Sequence, residues 1–370
     1  MKVKVKLKDI TSYSKGQQIN KEDVLDNGKY NYLNGGMDFS GKVNLYNVDI
    51  NTVTVSEGGN SCGYVNYIDY PFWCGAHCYY LYNNNINTKY LYYALKSQQN
   101  RLMKLRSGAC MPNIKKSVLG DFEFYIDNNK DKQKQIVSIL DTVSGIIEKR
   151  KKQLEDLDEL VKARFVEMFG SVKNNKNGYD IVTIDDVCSL IKDGTHKTPI
   201  YTEDTKQGYK FLSSKDVMTQ KIDWTNIKYI PSELHEKLYA TIQPKRNDIL
   251  MSKNGVNYGV AAINDTDEVF DIYVSLALLR PKVNLINPIF FRCLINNYDT
   301  KIQFDRSIKG IGVPNLHLGE IKKTKIIVPP IELQNQFADF VKQTEEIKEK
   351  VKKSLDETQV LFDSLMQKYF

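Results

Sequence analysis

The chain has 370 residues, of which 41% are apolar and 26% charged, and it carries a formal net charge of +7. That length sets a prior of two or three globular domains, each large enough to bury its own core. The apolar runs, such as Val274 to Leu279, are too short to span a bilayer as a helix, so no membrane partner is expected.

From the N-terminus, Met1 to Lys8 alternates lysine with aliphatic residues, which predicts a strand. The stretch lacks the apolar centre of a secretion signal, so the expected compartment is the cytoplasm. Cys62, Cys74, Cys78, Cys110, Cys188 and Cys293 are scattered over the chain, which suits a reduced interior better than a disulfide framework. Cys74-Gly-Ala-His77-Cys78 has some look of a metal ligand set. A second ligand pair at zinc spacing is not visible, so packed thiols are the expectation and no metal is assigned.

Charge is unevenly spread. Residues 1–130 carry 16 Lys+Arg against 11 Asp+Glu, residues 131–170 carry 8 of each, 171–330 carry 22 against 18, and 331–370 carry 6 against 8. Two basic blocks separated by neutral or acidic ones fit a polyanionic partner.

The chain also repeats itself. Gly108-Ala-Cys-Met-Pro112-Asn113-Ile114 returns as Gly310-Ile-Gly-Val-Pro314-Asn315-Leu316. Ser56-Glu-Gly-Gly59-Asn-Ser-Cys-Gly63 returns as Ser252-Lys-Asn-Gly255-Val-Asn-Tyr-Gly259. Gln133-Lys-Gln-Ile136 returns as Gln334-Asn-Gln-Phe337, and Leu7-Lys-Asp-Ile10 more loosely as Ile184-Asp-Asp-Val187. Four echoes in one order indicate a duplication. It divides the chain into a globular part at 1–130, a long helix at 131–170, a second globular part at 171–330 and a second helix at 331–370. Short apolar runs broken by Asn34-Gly35-Gly36, Gly58-Gly59-Asn60 and Asn254-Gly255 predict strands and loops with a few helices in each globular part, an α+β class. Leu91 to Leu105 and Pro288 to Phe304 each read as one helix.

The long helices have heptad seams. Positions 136, 140, 143, 147, 150, 154, 157, 161, 164 and 168 are apolar except Arg150 and Arg164, and the positions 201 residues later are apolar at seven of ten. Each helix would run about 38 residues, roughly 57 Å, against roughly 30 Å for a globule of this size. The seams therefore predict an antiparallel coiled-coil pair that holds two heads apart with approximate two-fold symmetry. Heads so spaced suit two half-sites on duplex DNA.

Head, long helix, head, long helix resembles, across essentially the whole chain, the specificity subunits of Type I restriction-modification systems. Asp193-Gly-Thr-His196-Lys-Thr-Pro199 with Gly208-Tyr-Lys-Phe-Leu is similar to the opening of that family's recognition domains. Asn247-Asp-Ile-Leu-Met-Ser252-Lys-Asn-Gly255 is similar to their mid-domain strand and turn, and Pro329-Pro-Ile-Glu-Leu-Gln334 to the entry of their helix. The first head departs: Asp127-Asn-Asn-Lys-Asp-Lys-Gln133 lacks the proline pair, and nothing there matches Asp193 to Pro199. The resemblance implies two target-recognition domains, each contacting half of a bipartite asymmetric site in double-stranded DNA. It implies helices that set the spacing and bind two methyltransferase subunits, and a restriction/translocase subunit that joins them. S-adenosylmethionine, ATP and magnesium would then belong to those partners, with no cofactor on this chain. A related fused methyltransferase-nuclease system would use the same reader with different partners.

An enzyme is the competing class. A base-flipping adenine methyltransferase needs an Asn/Asp-Pro-Pro-aromatic loop, and Asn287-Pro288-Ile-Phe290 lacks the second proline. Neither a G-x-G-x-x-G turn nor a phosphate loop occurs. Glu320-Ile-Lys322 and Glu346-Ile-Lys348 resemble nuclease acidic-x-Lys pairs but have no visible upstream Asp partner. The chain is read as non-catalytic. An adaptor whose helices assemble partners without reading DNA is the remaining alternative, and it predicts heads that bind no duplex.

Phosphate contacts fix register while base edges carry sequence information. Basic residues at turns and on helix faces are the phosphate candidates: Arg101, Lys104, Arg106, Lys115 and Lys116 in the first head, and Lys197, Lys253, Arg306 and Lys309 in the second. Base-reading candidates are Asn60 and Ser61 in the first Gly-x-x-x-Gly loop, Asn257 and Tyr258 in the second, and Thr195, His196 and Thr198. Each is equally readable as a solvated charge or turn former. Ile139, Ile146, Leu160 and Phe165 flank the seam as an exposed docking surface for the methyltransferase. Arg150 and Arg164 either mark that docking site or cover the seam with their stems while the guanidinium reaches solvent or a nearby Glu.

Overall fold

In the computed structural model, which describes residues 2–108, 112–308 and 314–370, eighteen strands fall into two sets of nine with the same pairing. Contacts divide the chain into a first unit, Met1–Lys152 with Lys352–Phe370, and a second, Gln153–Val351.

In the first unit the lysine/aliphatic alternation forms β1 (Lys2–Lys6), paired antiparallel with β9 (Glu123–Asp127). Val3 and Val5 lean on the core while the lysines face outward, the two-residue period of a strand. The one-turn helix α1 (Leu7–Ile10) follows and buries both its aliphatic ends. A four-stranded sheet runs in the order β2 (Ser12–Lys15), β8 (Cys78–Tyr82), β5 (Thr52–Ser56), β6 (Val65–Ile68), all antiparallel. Every residue of β5 is buried, and its Thr-Val-Thr-Val run is the β-branched composition of a strand covered on both faces. A smaller sheet orders β4 (Gly41–Val43), β3 (Tyr30–Leu33) and β7 (Phe72–Cys74), with β3 and β7 parallel.

The second unit repeats this strand for strand. β10 (Asp180–Thr183) pairs with β18 (Lys325–Val328), and α6 (Ile184–Val187) follows β10 as α1 follows β1. The four-stranded sheet is β11 (Cys188–Asp193), β17 (Leu276–Pro281), β14 (Ile249–Ser252), β15 (Ala261–Ile263). The smaller one is β13 (Lys228–Ile230), β12 (Tyr209–Leu212), β16 (Phe270–Ile272), again with one parallel pair. The short helices α4 (Lys116–Gly120) and α10 (Leu318–Lys323) precede β9 and β18 in the two units, and the helix α7 (Ser232–Tyr239) is an addition of the second unit. Its His235 stacks on Tyr209 with ring centroids 3.6 Å apart and pairs with buried Asp271 at 2.7 Å.

The helix expected at 91–105 is two, α2 (Thr88–Ser97) and α3 (Gln99–Met103), and that at 288–304 is also two, α8 (Pro288–Ile295) and α9 (Tyr298–Ser307). Local hydrogen bonds explain the breaks. The Gln99 side chain accepts from Val65 N–H and donates to the Gly63 carbonyl. Asn296 does the same for both backbone groups of Ala261, and Asn297 caps α9 by accepting from Asp299 N–H. In each case an amide needed by the neighbouring strand or cap sits where the apolar period alone would continue the helix.

The repeated glutamines are structural. Gln133 is buried, accepts from Asn87 N–H at 3.1 Å and donates to the Asp127 carbonyl at 2.7 Å. Gln334 is buried likewise, accepting from Asn287 N–H at 2.8 Å and donating to the Pro329 carbonyl at 2.7 Å. Each thus ties the N-cap of α2 or α8 to the start of a long helix, α5 (Lys130–Phe169) or α11 (Ile331–Tyr369).

Both long helices are shared between the units rather than standing as separate parts. Residues 130–152 of α5 and 352–369 of α11 belong to the first unit, and the remaining halves to the second. Ile136, Leu140 and Met366 enter one core with Tyr90 and Leu91 of α2. Phe165, Phe169, Phe337 and Val341 enter another with Phe290 of α8. Within the second unit the two segments run in opposite directions, with Phe165 against Phe337 and Asp158 ion-paired to Lys348. The seam positions are buried or half-buried except Arg164.

Candidate nucleic-acid interface

The two motifs that repeat most clearly in sequence meet in space, once in each unit. β5 runs into a turn at 57–63 and β14 into one at 253–259. Gly59 and Gly63 have φ of 76° and 87°, and Gly255 and Gly259 both 87°, a region that favours glycine. Gly59 N–H donates to the Pro112 carbonyl and Gly255 N–H to the Pro314 carbonyl, both at 3.0 Å. Ile114 N–H donates to the Glu57 carbonyl and Leu316 N–H to that of Lys253, both at 2.9 Å. The Gly-x-x-x-Gly turn and the Pro-Asn segment therefore form one backbone-locked site at the end of the central strand.

An ion pair with one buried member, Glu57 or Lys253, underlies each turn, with its charges reversed between units. Glu57 is buried, and its carboxylate takes Lys15 Nζ at 2.8 Å on one oxygen and His77 Nδ1 at 3.3 Å on the other. At the matching place Lys253 is buried and pairs with Asp193, whose Oδ2 also lies 3.4 Å from His196 Nε2. Strand register shows the equivalence. Lys15 stands opposite Tyr79, itself opposite Val55, while Asp193 stands opposite Ala277, itself opposite Met251. Burial alone would raise the Asp193 carboxyl, but the hydrogen bond and charge of Lys253, helped by His196, hold it below the usual range.

Around the first turn Asn60, Lys104, Arg106, Lys115 and Lys116 are exposed. Arg101 is exposed but already bonded to the Gln98 side chain and the Glu123 carbonyl, with its guanidinium 5.1 Å from the Phe122 ring. Around the second turn His196, Lys197, Thr198, Asn257 and Arg306 are exposed. Thr195 is half-buried, and its hydroxyl accepts from Lys197 N–H. Lys309 lies outside the described residues.

Three expectations change. Lys253 cannot serve as a surface phosphate contact, because its ammonium is buried and spent on Asp193. Ser61 turns its hydroxyl inward to the Gly35 carbonyl at 2.5 Å. Tyr258 is engaged on its own surface, donating to Asp305 at 2.6 Å beneath the Lys301 ammonium, 3.4 Å from its ring.

The family profile for the Type I restriction modification DNA specificity domain matches residues 2–156 and 176–357. The chain belongs to that family. A type I specificity subunit of Mycoplasma genitalium is 27% identical to it over 96% of this chain and 90% of the relative. A second, from Mycoplasma pneumoniae, is 35% identical over 40% of this chain and 38% of its own. The MjaVIII specificity subunit of Methanocaldococcus jannaschii is 24% identical over 74% and 68%. Among solved structures, the S subunit of the M. genitalium restriction-modification system shares the fold with a TM-score of 0.66 at 24% identity, covering 100% of this chain and 96% of that one.

In this specificity subunit the candidate docking surface on the helices is smaller than expected. Ile139, Ile146 and Leu160 are 41%, 38% and 48% exposed. Phe165 is not part of that surface. It is 4% exposed and packs against Phe169, Phe290 and Phe337 at centroid distances of 5.3 to 5.5 Å. The heptad pattern places it on the flank because the second head's α8, distant in sequence, is what covers it. Arg164 is exposed and pairs with Glu167 at 2.8 Å, while Arg150 is half-buried with its Nε shielded from solvent.

Cys74 and Cys78 are buried free thiols, and the Cys74 Sγ lies 3.5 Å from the Cys78 carbonyl. Among the described residues no group of three or more His, Cys, Asp and Glu is placed to hold a metal ion. Nor is any described helix long and apolar enough to cross a membrane.

The residues that sequence reasoning missed are Lys15, Glu57, His77 and Asp193. Opposite charges at aligned positions 57 and 253 were visible in the repeat. Lys15 and Asp193 were not, because β2 and β11 share no sequence and only the strand register equates them.

Proposed function

We propose that this chain is the sequence-specific, non-catalytic DNA reader of a Type I restriction-modification complex, acting in the cytoplasm, with each head contacting one half of a bipartite asymmetric site in double-stranded DNA. The observation that carries this reading is the duplicated turn. Two copies of one backbone-locked site, alike in main chain and different in side chains, suit two half-sites of different sequence. Lys104, Arg106, Lys115 and Lys116 supply phosphate contacts in the first head, and Lys197 and Arg306 in the second, with Asn60, Asn257, His196 and Thr198 reaching for bases. The long helices set the spacing, and Ile139, Ile146 and Leu160 contribute to docking two methyltransferase subunits. Restriction/translocase subunits join through that complex. S-adenosylmethionine, ATP and magnesium act on the partners.

The test is methylome sequencing of cells that express this chain with its methyltransferase, before and after residues 1–130 are exchanged for another head. The expected result is methylated adenines in a split motif of which only one half changes. An assembled complex that methylates nothing would overturn the reading in favour of an adaptor, and both halves changing together would refute independent heads.

A further inference from the structure

Two of the chain's four histidines stand in corresponding surroundings. His77 lies one residue before β8 with Nδ1 3.3 Å from Glu57, and His196 lies three residues beyond β11 with Nε2 3.4 Å from Asp193. Both are solvent-facing, with side chains 53% and 73% exposed. In each unit the carboxylate beside the histidine is also the partner of a lysine, so a lysine–carboxylate–histidine row lies at the stem of each turn.

The rows are built from positions that do not correspond. Lys15 and Asp193 share a place in the strand lattice, as do Glu57 and Lys253, so the lysine and carboxylate have traded sides. Backbone bonding equates His77 with Ser275, since Glu57 N–H donates to the His77 carbonyl as Lys253 N–H does to that of Ser275. The recurrence of the same three groups is therefore not a relic of the sequence repeat. Packing alone does not require it either, because both rings face solvent.

Each group has a part. The lysine neutralises the carboxylate, so the row adds no fixed charge to the turn. The Glu57 carboxylate, which can only accept, takes a hydrogen bond from His77 Nδ1 and so sets that ring's tautomer, while the Asp193 charge 3.4 Å from His196 Nε2 favours the hydrogen on that nitrogen. The opposite nitrogen, Nε2 of His77 and Nδ1 of His196, is then an acceptor in the neutral ring. In the major groove an acceptor matches the exocyclic amino group of adenine or cytosine.

We propose that His77 and His196 are matching specificity-determining contacts, one in each head, each presenting a ring nitrogen to a base edge in its own half-site, and that the lysine–carboxylate pair beneath each is its positioning element. This rests on the reading of the chain as a two-headed DNA reader.

The experiment selects duplexes from a randomised pool on the immobilised full-length chain, for the wild type and for His77→Ala, His196→Ala, His77→Gln and Glu57→Gln. The wild type is expected to enrich a split motif. His77→Ala should lose roughly tenfold discrimination at one base pair of one half, and His196→Ala at one base pair of the other. His77→Gln, which keeps an acceptor, should restore part of the preference. Glu57→Gln should relax the same base pair as His77→Ala, which a merely structural role would not do. A wild-type motif left intact by both alanine variants overturns this proposal alone. So does a uniform loss of affinity with the motif unchanged, which would make the histidines phosphate contacts. A wild type that enriches no sequence overturns the DNA-reading itself.

Discussion

The buried pair under the second turn yields a quantitative expectation. Lys253 is 5% exposed and Asp193 is its partner, so Asp193→Asn leaves an ammonium in the interior without a counter-charge. Removing one member of such a pair costs about 3–5 kcal/mol. For a unit of this size that corresponds to a fall of roughly 6–20 °C in its melting transition. The reversed arrangement in the first unit offers the control: Asp193→Lys combined with Lys253→Glu adopts the charge order of Lys15 and Glu57 at the same lattice positions. The double variant should recover most of the loss, whereas Lys253→Glu alone sets two carboxylates together and should be at least as damaging as Asp193→Asn. Thermal unfolding of the full chain, followed by circular dichroism, reads all three. pH adds a second check. The Asp193 carboxyl is held below its usual range in the folded state, so its contribution is present above the unfolded value and is lost as pH falls through the folded one. The gap between wild type and Asp193→Asn should therefore narrow on acidification below the ordinary carboxylate range. A double variant no more stable than the worse single one would refute the claim that the two sites are interchangeable in charge. A gap that widened in acid would refute the pairing itself.

Other expectations follow from individual side chains. Phe165→Ala removes a ring from a four-phenylalanine cluster and should destabilise the second unit by about 3–5 kcal/mol in denaturant titration; a loss below about 1 kcal/mol would mean that the ring is not packed there. Ile146→Asp with Leu160→Asp, at exposed positions, should leave the melting transitions in place and abolish co-purification of the methyltransferase, and an intact complex would count against that surface. Lys104→Ala with Arg106→Ala should flatten the dependence of log affinity on log salt by about 2, since each phosphate left without its cation removes about 0.9 from the slope. An unchanged slope, measured by fluorescence anisotropy on a duplex probe, would remove both residues from the interface.

Much of the molecule was legible in the sequence because its signals are local or periodic. Heptad spacing is a property of the helix itself, so both long helices could be placed within a residue or so of their ends. The glycine turns were visible because positive φ restricts residue choice. The duplication, read from four short echoes, extends in the structure to nine strands with matching order in each unit. What the chain brings together from afar was not legible. Phe165 reads as a surface residue until Phe290, far along the chain, covers it. Lys253 reads as a surface cation until Asp193, sixty residues earlier, arrives beside it across the sheet. Ser61 reads as a free hydroxyl until Gly35 takes it.

By itself, then, the sequence determined the class and the repeat, since both rest on spacing and on backbone preferences that short stretches of chain carry alone, and it carried the resemblance to the family that the profile match bears out. Only the tertiary structure decided which polar groups are free to meet a ligand. An ammonium or hydroxyl becomes available or spent according to whether a partner from a distant segment desolvates it, and that depends on strand register rather than on neighbouring residues. The reversed pairs at Lys15–Glu57 and Asp193–Lys253 show this most directly: Glu57 and Lys253, opposite in charge at equivalent buried positions, are each met by a counter-charge from another strand of the sheet, because burial of an ion demands a partner and not a particular sign.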